Sequence, residues 1–158
     1  MSLYFLLGSC EEAKDIIPLP TMNATVDNEG WNTNATWCIY NKSGKPQNIE
    51  IIGSPTLSKT ADKVIVLTIL GNTTGTYQFG IGTVSANCNV VYKKTSDAIE
   101  GGDNYYVAYE ATITISEMNT EKKTISGSFS AKCINTALVP DEVIITNGTF
   151  KNVFYTEE

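Results

Sequence analysis

Cys38, Cys88 and Cys133 stand far apart in the body of the chain, and a fourth cysteine, Cys10, lies near its start. A zinc site wants closely paired thiolates or imidazoles, whereas these thiols are isolated and the 158 residues include no His. Without His, a Ser or Thr nucleophile lacks its usual base, and no side chain titrates unperturbed near neutrality. All 11 basic residues are Lys, so there is no planar guanidinium fork to grip a carboxylate or phosphate. Neither a G-x-S-x-G elbow nor an S-x-x-K pair occurs. Ser43-Gly44-Lys45 ends like a phosphate loop, but Ile39 holds the first Gly position and Pro46 follows the Lys, so the segment is read as a hairpin turn. Glu110 is a carboxylate of the kind that could serve glycoside hydrolysis, yet it falls on an outward strand face with no evident partner. The loop Asp97 to Asn104 gathers oxygen ligands that calcium accepts, without EF-hand spacing, and is read as solvated. These residues predict no enzyme, no cofactor and no metal site.

Aromatic side chains offer the one binding surface worth naming. Trp31, Trp37 and Tyr40 cluster near the first turns, and Tyr105, Tyr106 and Tyr109 cluster in one segment. Tyr and Trp present a flat apolar body with a polar tip, suited to stacking on sugar rings. Tyr105 and Tyr109 share the apolar face of their segment and are read as core, which leaves Trp31, Trp37, Tyr40 and Tyr106 as candidate ligand contacts. The formal charge of −6, from 17 acidic against 11 basic residues, repels phosphate backbones and argues against nucleic acid.

The elements that must position these residues are strands. From Met22 onward the hydropathy pattern has period two, with Gly, Asn, Asp or Ser clusters between short segments. In the segment 105–116, Tyr105, Val107, Tyr109, Ala111, Ile113 and Ile115 alternate with polar residues. After a polar turn, Ile125, Gly127, Phe129, Ala131 and Cys133 alternate with Ser, Thr and Lys. Residues 64–70 are nearly all apolar and β-branched, like a strand covered on both faces. Residues 77–81, 88–93 and 143–146 read as further strands, with 26–31 and 36–40 flanking the opening turns. Asn147-Gly148 between apolar runs is a strong hairpin signal. No helical stripe is present. The pattern predicts an all-β fold, an antiparallel two-sheet sandwich of roughly eight to ten short strands, with a closed or partly open barrel as the alternative.

The first residues read differently. Met1 to Leu7 is a short apolar run, and Leu7-Gly8-Ser9-Cys10 resembles a bacterial lipoprotein box, in which small residues precede a Cys that is lipidated. Residues 1–10 are therefore read as a residual lipoprotein signal with Cys10 as the lipidated residue, 11–21 as an acidic, Pro-containing tether, and 22–158 as a single β domain. No segment approaches the ~18 apolar residues of a transmembrane helix. Glu11, Glu12 and Asp15 resemble a surface-export signal of lipoproteins in Bacteroidetes-type bacteria. Export would place the domain cysteines in an oxidising compartment; Cys88 and Cys133 are the expected disulfide pair, with free buried thiols as the alternative. Sequons at Asn23, Asn34, Asn41, Asn72 and Asn147 are chance products of Asn and Thr richness in such a protein.

A wider resemblance covers residue 25 to the C-terminus. Ala24-Thr25-Val26-Asp27 with Gly30-Trp31, Gly75-Thr76-Tyr77, and Ala111-Thr112-Ile113-Thr114-Ile115 carry it. So do Lys123-Thr124-Ile125-Ser126-Gly127-Ser128-Phe129 and Val143-Ile144-Ile145-Thr146-Asn147-Gly148-Thr149-Phe150. In order and spacing these segments are similar to a family of small lipoproteins from Bacteroidetes, catalogued as a domain of unknown function. The chain departs from that pattern at Asn28-Glu29, where the family typically has Gly, and in its three domain cysteines. The resemblance implies an all-β fold and a place in the cell envelope, as an outer-membrane lipoprotein that is surface-exposed or faces the periplasm. The membrane would be reached through lipid on Cys10, with a glycan or an envelope protein as partner. It transfers no catalytic residue. The expected role is a non-catalytic binding or adhesion module; the alternatives are an accessory envelope lipoprotein without ligand and a carboxylate hydrolase.

Overall fold

Asp27 and Asn28 both adopt left-handed backbone angles, with φ of 48° and 67°, the signature of a two-residue hairpin turn whose twist matches its strands. They join β1 (Thr21–Val26) to β2 (Glu29–Asn32). The structure, a computed structural model, describes residues 18–158 except positions 34, 58–60, 84–85 and 138. Further along come β3 (Ala35–Asn41), β4 (Asn48–Ser54), β5 (Val64–Ile69), β6 (Gly75–Phe79) and β7 (Cys88–Lys93). Three long strands close the chain: β8 (Tyr105–Asn119), β9 (Thr124–Asn135) and β10 (Glu142–Glu157). The described residues are thus all-β, with ten strands and no helix. The Ser43-Gly44-Lys45 segment is the connection of the antiparallel β3–β4 hairpin, as expected.

All ten strands belong to one hydrogen-bonded sheet. Its pairing returns on itself: β10 bonds β3, and the path runs through β4, β5, β7, β8 and β9 back to β10. Every pairing is antiparallel except β10 with β3, where Tyr155–Glu157 run parallel to Cys38–Tyr40. The hairpin β1–β2 branches from β10, and β6 branches from β8. The long strands change partner along their length and stitch the whole together. On one side, β10 bonds β1 through Ile145–Lys151 and then β3 through Tyr155–Glu157. Likewise β8 bonds β7 at Tyr105–Val107 and β6 at Ala111–Ile115.

Bulges make the change of partner feasible, because an extra residue bends the strand and increases its twist. The β10–β9 ladder shifts register between Ile145 and Gly148 and again between Phe150 and Val153. Asn147 and Asn152, at φ of 53° and 51°, occupy the left-handed positions these shifts need. Asn147-Gly148 is therefore a bulge within one long strand, not a hairpin turn. In β8 the register shifts between Ala108 and Glu110, which inverts the faces on its two sides. Ala111, Ile113 and Ile115 point into the core as expected, but before the bulge the inward residues are Tyr106 and Ala108.

The core gathers the inward faces of all ten strands, with Ile49, Ile51, Ile65, Leu67, Ile69, Ile113 and Phe150 essentially inaccessible. In β5 the alternate residues Val64, Val66 and Thr68 are half-buried, so its outer face is only partly covered. The β9 alternation holds through Phe129, Ala131 and Cys133. Cys38, Cys88 and Cys133 are free and buried, which corrects the expected Cys88–Cys133 disulfide. Strand β8 lies between β7 and β9, so the two thiols sit on strands that do not pair with each other. Cys10 lies outside the described residues.

Candidate functional site

Side chains converge at the end of the sheet where β1, β7 and β9 finish and β5, β8 and β10 begin. Trp31, on the inward face of β2, is buried and donates from its indole Nε1 to the Lys63 carbonyl at 2.6 Å. That bond ties the free side of the hairpin to the start of β5. Asp27 ties the turn to β10, its N–H donating to the Ile144 carbonyl at 2.9 Å and its carboxylate accepting from the Ile144 N–H at 2.8 Å. Between hairpin and β7 lies a crevice of about 250 Å³, with Trp31 and Tyr92 among its lining and Asp27, Glu29, Lys63 and Lys94 around it. The two aromatic residues are buried and the four charged residues exposed, giving an apolar floor with a charged rim.

A second crevice, about 450 Å³, adjoins it across Lys94. Here Tyr106 is buried and its hydroxyl donates to the Asp141 carboxylate at 3.0 Å. Asn135, one of the few buried polar side chains, donates from Nδ2 to the Asp103 carbonyl at 2.8 Å and accepts from the Asp141 N–H at 2.8 Å. Both amide functions are satisfied, as a buried amide requires. The Tyr92 and Tyr106 rings meet at 6.1 Å between centroids, joining the two floors. Burial, with Asp27 and Glu29 nearby, pushes the Tyr92 hydroxyl up to about 12. For Tyr106, burial and then the bond to Asp141 likewise raise it to about 12. Both phenols thus remain neutral.

The four aromatic candidates are divided by the fold. Trp31 and Tyr106 come together at the crevices, Tyr106 as buried floor rather than the exposed contact expected from its position, because the β8 bulge inverts its face. Trp37 is isolated on the outer surface of β3, 41% exposed. Tyr40 is buried at the opposite end, where its hydroxyl donates to Gln47 at 3.2 Å, accepts from Asn72 at 3.0 Å, and its ring meets Tyr155 edge-on. Tyr40 is thereby a structural residue, and Tyr109, expected in the core, is exposed beside Glu142. Glu110, expected without a partner, pairs with Lys132 at 3.1 Å on the outer surface. Sequence reasoning missed Tyr92, Lys63, Lys94, Asn135 and Asp141. The alternation of residues 88–93 could have singled out Tyr92 as an inward aromatic, but nothing local marks the others.

A ten-strand β domain with a mixed aromatic and charged crevice at one end is the class that fold and site define. The family model described as Domain of unknown function (DUF6252) matches residues 19–154, and the chain belongs to that family. No curated protein and no solved structure matches the chain.

Proposed function

We propose that this chain is a non-catalytic glycan-binding module of the cell envelope, held at the outer membrane through lipid on Cys10. The observation that carries the binding role is the crevice floored by Trp31 and Tyr92 and rimmed by Asp27, Glu29, Lys63 and Lys94. A sugar ring has an apolar face for the aromatic floor and hydroxyls that donate to carboxylates and accept from ammonium groups. The anchor rests on Leu7-Gly8-Ser9-Cys10, and the two or three acyl chains of a bacterial lipoprotein supply the stable residence that one chain does not. The carboxylates of the rim are all exposed, whereas a glycosidase acid is a carboxyl held in an apolar pocket, which favours binding over turnover.

Trp37→Phe leaves Trp31 as the one tryptophan and thus a reporter of the crevice. Glycans selected on an array should shift its fluorescence saturably and be recovered intact after prolonged incubation. Lys94→Ala should weaken binding at least tenfold, about 1.4 kcal/mol, without lowering the melting temperature. No saturable ligand, or binding indifferent to Lys94, overturns the reading; a cleaved product replaces it with the hydrolase. Mass spectrometry of membranes from cells carrying the precursor should find diacylglyceryl-modified Cys10, and Cys10→Ala should release the protein.

A further inference from the structure

We infer that the two crevices form a single elongated trough, which takes an extended uncharged oligosaccharide across Lys94 rather than one sugar in one pocket. This rests on the glycan reading above and adds length and charge to it. Lys94 borders both crevices, and beneath them Tyr92 of the first meets Tyr106 of the second ring to ring. The divider is held in place from two sides: the Lys94 N–H donates to the Asn104 carbonyl at 2.9 Å, and its carbonyl accepts from the Lys63 N–H at 3.2 Å. An exposed lysine therefore rises from a fixed backbone at the border of both crevices, from which its ammonium can donate to a ring or bridging oxygen of a bound chain. The first crevice, about 250 Å³, falls below the roughly 300–1,000 Å³ of ordinary small-molecule sites. The second, about 450 Å³, lies within that range by itself, and the first lengthens it.

The charge pattern selects among oligosaccharides. Asp27 and Glu29 border the first crevice and Asp103 and Asp141 the second, against the two ammonium groups of Lys63 and Lys94. Neutral hydroxyls donate to such carboxylates at either subsite. A polyuronate would set its own carboxylates against four of the same sign, a repulsion added to that of a chain carrying −6 overall.

Fluorescence titration of the Trp37→Phe protein separates the outcomes. The probes are cello-, xylo-, manno- and chito-oligosaccharide ladders of one to six units, with oligogalacturonates of the same lengths. At least one neutral ladder should gain tenfold or more in affinity from its shortest to its longest member, while the oligogalacturonates bind at least tenfold more weakly than neutral chains of equal length. Asp103→Ala, in the second crevice, should bring the longest neutral chain down to the affinity of the dimer, with the thermal melt confirming the fold. Equal affinity for monomer and hexamer overturns the trough while leaving the glycan reading intact. So does preferential binding of oligogalacturonate, or an Asp103→Ala loss that is the same at every length. No saturation by any probe removes the glycan reading and the trough together.

Discussion

Burial pushes the Cys38 and Cys133 thiols up to about 12, with Glu50 adding to the first and Asp27 to the second. Cys88 rises to about 11, its burial partly offset by a backbone hydrogen bond. Only the thiolate is nucleophilic, so these side chains behave as small apolar core residues. Iodoacetamide at neutral pH should leave all three unlabelled in the native protein and label all three in urea, with peptide mass spectrometry assigning the sites. The same shifts make stability pH-dependent in a defined direction. An unfolded thiol releases its proton near its ordinary value of 9.0, while the folded thiols, together with Tyr92 and Tyr106, hold theirs towards 11 or 12. Above pH 9 the unfolded chain therefore binds fewer protons than the folded one, and stability falls as pH rises. The urea midpoint should be level from neutrality to about pH 9 and decline beyond it; a rise there would contradict the assignment. The inward position of Cys133 was legible from β9, whose alternation runs unbroken through it. That of Tyr106 was not, because the residue that inverts its face lies three positions further on.

Bulges and close approaches decide the shape of the long strands, and glycine makes two of them feasible. A Cβ at Gly148 would lie 2.5 Å from the Phe129 carbonyl oxygen and 2.7 Å from its ring. At Gly127 it would overlap the Thr114 carbonyl oxygen and the Phe150 ring. Neither backbone oxygen can retreat without breaking the ladder, so each Gly→Ala change should cost about 1–3 kcal/mol or more in urea unfolding, as overpacking does. Gly30→Ala is the comparison, since nothing lies within 4 Å of a Cβ there; its effect should stay within about 0.5 kcal/mol. If Gly148→Ala matched Gly30→Ala, the bulge would not be held as described. Asn-Gly supplies left-handed backbone equally to a hairpin turn and to a bulge. Local residues therefore could not tell whether the chain reverses at Asn147 or continues. The answer lies in β9, whose residues pair on both sides of the shift.

The ring of pairings depends on the last few residues. Tyr155 is buried against Tyr40, and Tyr155–Glu157 bond β3. The Glu158 carbonyl accepts from the Lys42 and Ser43 N–H groups, and Lys123 meets Glu157 at 2.5 Å. Removing residues 155–158 should uncover the β3 edge and cost at least the ~3–5 kcal/mol of losing a buried large aromatic. Concentration-dependent association should accompany it, since an unpaired edge invites another strand. Glu157→Gln removes two surface ion pairs, to Lys123 and to Lys42, and should shift the midpoint little. Lys123 holds the Glu157 carboxyl below its ordinary range, so that small contribution is lost as pH falls through the carboxylate range. A truncated chain as stable and monomeric as the full one would show that closure is not needed.

Alternation at period two and turn residues between short runs were enough to establish an all-β fold, because each strand must bury one face and its own residues record which. The inward residues of β9 and the β3–β4 hairpin followed from the same local rule. Closure, partner exchange and the crevices did not, because they depend on strands distant in sequence. β3 and β10 meet across more than a hundred residues, and no residue in either names the other. Trp31 and Tyr106 share one end of the molecule, with Tyr92 between them, only because a bulge turns Tyr106 inward and the hairpin is folded against β5. A periodic pattern encodes which side of a strand is buried; which strands enclose that side is settled by packing the whole chain at once.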